Sequence, residues 1–196
     1  MNDQHRIVSS EEEDLILVDR NDVGVGHLSK ALCHDGPGVL HRAFSLFLFN
    51  EAGELLLQQR SAQKRLWPGF WSNSCCSHPR RGESMEVATR RRLSDELNFE
   101  TELEYVYHFC YTASYGDTGA ENELCHVFLG GATSDVRPNR SEIESIRFLS
   151  PGSLSAEMHD SPERFTPWFK QEWEELLTNY RERLETYCDV DQPLRR

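Results

Sequence analysis

Apolar and polar positions change in short runs along the first half of the chain. Leu15 to Asp19 is a short apolar strand, Asn21-Asp22-Val23-Gly24 is a turn, and Val25 to Leu28 returns as a hairpin. Lys30 to His41 is polar and carries Asp35-Gly36-Pro37-Gly38, which marks a loop. Ala43 to Phe49 is the most apolar strand; Asn50-Glu51-Ala52-Gly53 turns it into Glu54 to Arg60, and the polar stretch Ser61 to Leu66 connects onward. The period then changes. Met85, Thr89, Leu93 and Leu97 recur every four residues, the buried stripe of a helix over Glu83 to Leu97. Ala88, Arg92 and Glu96 form its neighbouring face, and Asn98 suits a left-handed stop. Glu102 to Ser114 and Glu121 to Leu129 read as strands across the turn Tyr115-Gly116-Asp117-Thr118-Gly119, with another strand at Glu144 to Leu149. Ser150-Pro151 opens a short helix. Pro167 to about Tyr187 is a final helix, amphipathic through Trp168, Trp173, Leu176, Leu177, Tyr180 and Leu184. Strands, a helix, more strands and then helices predict an α+β class, a mixed sheet with flanking helices.

At 196 residues the chain suits one domain, read as 15–188, between a flexible N-terminus (1–14) and a flexible C-terminal tail (189–196). No apolar run reaches the roughly 20 residues that cross a bilayer, and the start is polar and acidic, so a cytoplasmic location is expected. Six cysteines without a C-x-x-C read as reduced thiols. The net charge of −12 argues against nucleic acid and anionic membranes as partners, and no obligate protein partner is evident. Within this acidic chain, Arg60 to Arg92 holds eight cationic residues (Arg60, Lys64, Arg65, Arg80, Arg81, Arg90, Arg91, Arg92), which points to a specific anion site.

The stretch Trp67-Pro68-Gly69-Phe70-Trp71-Ser72-Asn73-Ser74-Cys75-Cys76-Ser77-His78-Pro79 carries the densest chemistry. Its core alternates like a strand, so Cys76 and His78 share a face: a possible proton donor beside a possible metal ligand. Pro79 ends it. In Glu121-Asn122-Glu123, strand geometry turns both carboxylates to one side, where they repel unless a cation or a shared proton lies between them. With His34, His41 and His78 they could make a nitrogen and oxygen site suited to Mn²⁺, Mg²⁺ or Zn²⁺. Each of these residues is also ordinary on a solvated surface.

Taken together, His34-x6-His41-Arg42-Ala43-Phe44-Ser45, Gln59-Arg60-Ser61-x2-Lys64, the W-P-G-x-W-x-N-S-x-C-x-H-P string, Glu83-x2-Glu86-x-Ala88-x2-Arg91-Arg92-Leu93-x2-Glu96-Leu97 and Glu121-Asn122-Glu123 resemble the type 1 isopentenyl-diphosphate isomerases. The match runs from about Lys30 to Trp168. The resemblance implies a Nudix-like mixed β-sheet core, with isopentenyl diphosphate and dimethylallyl diphosphate as substrate and product. It implies Cys76 and Glu123 as the catalytic pair, Tyr111 passing the proton at Glu123, and Trp168 as an indole facing a carbocation. A metal would sit on His34, His41, His78, Glu121 and Glu123. Mg²⁺ would sit with the diphosphate on Glu96 and the Cys76 carbonyl, and Lys30, Arg60, Lys64 and Arg92 would contact the diphosphate. Ser77 to Phe99 is similar to a Nudix box, with departures: serine for its first glycine, Arg91-Arg92 for its Arg-Glu pair, and Asn98 for its late glycine. Losing the carboxylate at Arg92 weakens a hydrolase's magnesium cluster. A Nudix diphosphate hydrolase and a non-catalytic binding module on the same scaffold are the two competing readings.

Overall fold

A computed structural model describes residues 6–133 and 135–191. Its strands are β1 (Asp14–Val18), β2 (Gly24–Ser29), β3 (His41–Phe49), β4 (Leu55–Arg60), β5 (Trp71–Ser72), β6 (Cys75–Ser77), β7 (Leu103–Ser114), β8 (Ala120–Gly131) and β9 (Ile143–Leu149). Its α-helices are α1 (Lys30–Cys33), α2 (Met85–Leu97), α3 (Pro151–Asp160), α4 (Pro167–Asn179) and α5 (Arg181–Leu184).

The sheet is built about β3, the most apolar strand. One edge of β3 runs parallel to β8, from His41 beside Glu123 to Phe49 beside Gly131. Its other edge meets three strands in turn: β1 at His41, β6 at Phe44 to Leu46, and β4 at Phe49. β7 lies antiparallel outside β8, while β4 carries β9 and β5. A strand with both edges paired and both faces covered must be apolar on both faces, which is why this one does not alternate.

The two faces of β3 feed two cores. Phe44, Leu46 and Leu48 pack with Ala88, Leu93 and Leu97 of α2. Ala43 and Phe47 pack with Phe169, Trp173 and Leu176 of α4. Each fully buried Phe or Leu contributes roughly 1.5–3 kcal/mol of transfer free energy. Ser84 caps α2 by accepting from the Val87 amide at 3.2 Å, and Asn98 stops it with φ 59°.

Several expectations are corrected. The polar run after Lys30 opens with the single turn α1. The W-P-G string forms two short strands, because Ser74 leaves the alternation to bridge β3 and β4. Its hydroxyl donates to the Leu56 carbonyl at 2.6 Å and accepts from the Leu48 amide at 2.9 Å. The buried side of α2 is wider than one stripe: Ala88, Arg92 and Glu96 are buried, while Met85 is only partly so. The last helix breaks at Tyr180, whose ring stacks on Tyr107 at 4.6 Å. Residues 6–13 do not stand free. Val8 is buried, and its carbonyl accepts from Arg80 and Arg92. Residues 1–5 of that segment and 192–196 of the expected tail lie outside the described residues. Among the described residues, no helix is long and apolar enough to cross a membrane, and all six cysteines are free thiols.

Candidate active site

The pocket opens at the His41 end of β3. Glu123 on β8 flanks β3 from one edge and Cys76 on β6 from the other, opposite Ser45. The two residues thus lie two strands apart across the sheet and four residues apart along β3, and both line one pocket with Tyr111, Trp168, Lys30 and Lys64.

The ligand atoms of His34, His41, His78, Glu121 and Glu123 all lie within 4.8 Å of one another. His34 caps α1, His41 starts β3, His78 follows β6, and the two carboxylates sit on one face of β8. Gly119, at φ 151°, approaches the His34 carbonyl so closely that a side chain would strike it. That approach lets the Ala120 amide donate to the same carbonyl at 3.0 Å, tying His34 to Glu121. His41 Nδ1 is 2.7 Å from the Val39 carbonyl, which only accepts, so Nδ1 carries a proton and Nε2 faces the cluster. His34 Nε2 and Glu121 Oε2 are 2.9 Å apart, yet both are buried without a hydrogen-bond partner, as is His41 Nε2. Ligand atoms converging from five side chains, three of them without a hydrogen-bond partner, fit a metal ion. The charges agree. Burial, then the imidazoles of His41 and His34, pushes His78 well below the usual histidine range, so the ring is neutral and one of its nitrogens keeps a lone pair. Burial would raise both carboxyls, but His34 beside Glu121 and His41 beside Glu123 hold them below the usual range. Burial opposes protonation of His41 as well, but Glu123 beside it raises its pKa.

Tyr111 faces Glu123 across the β7–β8 ladder and donates to its Oε2 at 2.6 Å. Cys76 is held as a thiol: burial pushes it up to about 12, with the Arg60 guanidinium, 3.9 Å from Sγ, working the other way. Arg60 also donates to the carbonyls of Leu66 and Trp67 and lies 5.2 Å over the Trp168 ring. Trp67, at φ 47°, is strained and buried, and its ring meets Trp168 edge-on at 5.2 Å. Trp168 is seated by its own N–H, which donates to Asn73 Oδ1 at 3.3 Å.

The basic end is paired within itself. Arg92 is ion-paired with Glu96 and lies 3.2 Å from Glu142, while Lys64 is ion-paired with Glu142. Lys30 donates to Ser9 at 2.6 Å and faces Glu11. The sequence reading missed Glu142, Ser9 and Glu11, and it left Arg65, which also lines the pocket, without a role. No motif surrounds Glu142; only its place before the apolar start of β9 could have drawn notice.

A NUDIX domain model matches residues 39–169. Isopentenyl-diphosphate Delta-isomerase 1 of Photorhabdus laumondii is 41% identical over 174 residues, 88% of this chain and 99% of the relative. The Halorhodospira halophila enzyme of that name is 42% identical over 161 residues, 81% and 92% of the two chains. The chain belongs to the isopentenyl-diphosphate Delta-isomerases of the NUDIX family. Among solved structures, DR0079 from Deinococcus radiodurans superposes with a TM-score of 0.63 at 25% identity, covering 76% of this isomerase-family chain and 90% of that one. A MutT protein from Methanosarcina mazei, at 18% identity and a TM-score of 0.57, shares the fold.

Proposed function

We propose that the chain, with residues 15–188 as one catalytic domain, interconverts isopentenyl diphosphate and dimethylallyl diphosphate in isoprenoid biosynthesis. The observation that carries this reading is the placing of Cys76 and Glu123 on opposite edges of β3, both lining one pocket. Isomerisation adds a proton at the terminal alkene carbon and removes another from the carbon nearer the diphosphate. An alkene is a very weak base, so a positioned acid in a site shielded from water is required. One member of the pair gives a proton and the other takes one, with Tyr111 handling the proton at Glu123. The ring of Trp168 would stabilise the cationic intermediate by roughly 0.5–2 kcal/mol.

A divalent ion, Mn²⁺, Mg²⁺ or Zn²⁺, on the histidines with Glu121 and Glu123 would supply positive charge that tunes the acidity of Glu123. Mg²⁺ with Glu96 and the Cys76 carbonyl would neutralise diphosphate charge. Lys30, Arg60, Lys64 and Arg92 bind the diphosphate oxygens. The hydrolase reading is disfavoured by Arg92, which is buried and ion-paired where the hydrolase box places a carboxylate. The test is purified protein with Mg²⁺ and isopentenyl diphosphate, product read by mass after acid hydrolysis. An allylic product is expected; release of phosphate without one overturns the proposal.

A further inference from the structure

One carboxyl under the pocket has no part in the chemistry above. Glu172 lies on α4 one turn beyond Trp168, is 0% exposed and has no ion-pair partner among the described residues. Its Oε1 is 3.5 Å from Cys125 Sγ, and its Oε2 is buried without a hydrogen-bond partner. Cys125 Sγ is also 3.5 Å from Ser45 Oγ. A thiol has one hydrogen, so it cannot donate in both contacts; another proton in this group comes from Ser45 or from Glu172 itself. An ionised carboxylate without a cation is unstable in such surroundings. Burial pushes Glu172 up to about 8, against the hydrogen bonds of Ser45 and Cys125 and helped by the charge of Glu123. Ser45 faces Cys76 in the β3–β6 ladder. The floor beneath the thiol is thus the surface onto which α4, the carrier of Trp168, is fastened.

We propose that Glu172 is a positioning residue: its carboxyl fastens α4 to Ser45 and Cys125 and so sets the seat of Trp168 over Cys76. The kinetic part rests on the isomerase reading; the thermal part does not.

The groups facing Glu172 are Ser45 on β3, Cys125 and Glu123 on β8, Tyr107 on β7 and Cys76 on β6. Burial holds both thiols and the phenol protonated well above pH 8, and Glu123 is already ionised. Glu172 therefore titrates alone near that pH. Because its folded pKa is raised, the folded chain holds one proton more than the unfolded chain between about pH 4.5 and 8. The contribution of Glu172 to stability falls across that window as pH rises, and Glu172→Gln removes that contribution.

The test measures thermal unfolding of the full chain and of Glu172→Gln at pH 4.5, 6 and 8. The Tm difference in favour of Gln is expected to widen by several degrees towards pH 8. A constant difference overturns the proposal whether or not the protein turns over isopentenyl diphosphate. In kinetics, Glu172→Leu lowers kcat tenfold or more with KM within twofold, and Glu172→Gln restores most of it. Wild-type kcat in the Leu variant, or a Gln variant as impaired as Leu, overturns the proposal. Should the Leu variant not fold, Ser45→Ala breaks the same fastening from the sheet side. It lowers kcat with KM unmoved, and an unchanged kcat overturns the proposal.

Discussion

The two ends of the pocket are prepared in opposite ways. At the histidine end, five ligand atoms converge, and several are buried without a hydrogen-bond partner. At the basic end, Arg92, Lys64 and Lys30 each already face a carboxylate of the chain: Glu96 and Glu142, Glu142, and Glu11. The first end is arranged to receive a cation and gives up little in doing so. The second must exchange partners before an anion can bind, so its cations stay aligned and neutralised until then. This predicts that a metal stays with the purified protein at the first end, whereas occupancy of the second depends on diphosphate and Mg²⁺ arriving together.

The largest effect is expected where the two ends meet. Cys76→Ala removes the thiol and leaves the strand, so turnover falls about 10²–10⁴-fold without loss of the fold. Glu123→Gln keeps the volume and one acceptor oxygen but cannot carry the transferred proton. Its kcat falls with KM nearly unchanged. Steady-state kinetics and circular dichroism check both variants. Near-normal turnover in Cys76→Ala makes the thiol structural.

Next comes the metal itself. The His34→Ala, His78→Ala double variant removes two of five ligands, one just after α1 and one just after β6. Elemental analysis of the purified variant should show lost metal, while wild type keeps one ion per chain. Full stoichiometry in the variant places the metal elsewhere.

These two predictions rest on residues that were legible in the sequence, and the reason is geometric. Cys76, His78, Glu121 and Glu123 lie on strands or just beyond them, where spacing of two fixes a shared face. The apolar runs and the four-residue period also carried the order β3, α2, β8. What the sequence hid was long-range polar pairing. Glu142 reaches Lys64 and Arg92 across 78 and 50 residues, and no local pattern encodes such a contact. The helix period likewise named the apolar stripe of α2 but left open whether Arg92 and Glu96 face water. They are buried because their own ion pair, with Glu142 as a second carboxylate on Arg92, replaces solvation. Ser74 broke the strand reading for a similar reason: a side chain that bonds to backbone competes with the ladder.

Glu142 therefore gives the next, smaller effect. Glu142→Gln leaves Lys64 and Arg92 less well held, so KM for the diphosphate substrate rises several-fold more than kcat falls. Lys64→Ala should raise KM as well, because the proposed diphosphate contact would be made in both ground and transition states. Stability separates the two. Burial would raise the Glu142 carboxyl, but Lys64 and Arg92 hold it at about 2. A depressed carboxylate contributes stability above its unfolded pKa and loses it as pH falls towards the folded value. Glu142→Gln should be destabilised above about pH 4.5, by an order-of-magnitude 2–3 kcal/mol, and the gap should close between pH 4.5 and 2. A gap independent of pH means that the carboxylate is not paired in solution.

The smallest expected effect tests the contrast at the scale of one residue. Cys75 and Cys76 are neighbours on β6, yet their side chains enter different cores. Cys75 is fully buried with Phe44, Leu46 and Leu93 on the α2 face, whereas Cys76 lines the pocket on the other face. Cys75→Ala deletes a sulfur atom from a close-packed core, so it should cost about 1 kcal/mol and lower Tm by a few degrees, with turnover within twofold of wild type. Cys75→Val refills the volume and should recover part of that stability. Burial pushes the Cys75 thiol well above its ordinary range, so it stays neutral and inert to thiol reagents in the folded protein. Loss of activity in Cys75→Val at unchanged stability would show that β6 lets the two cysteines trade faces. The strand's alternation, on which the assignment of Cys76 depends, would then be wrong.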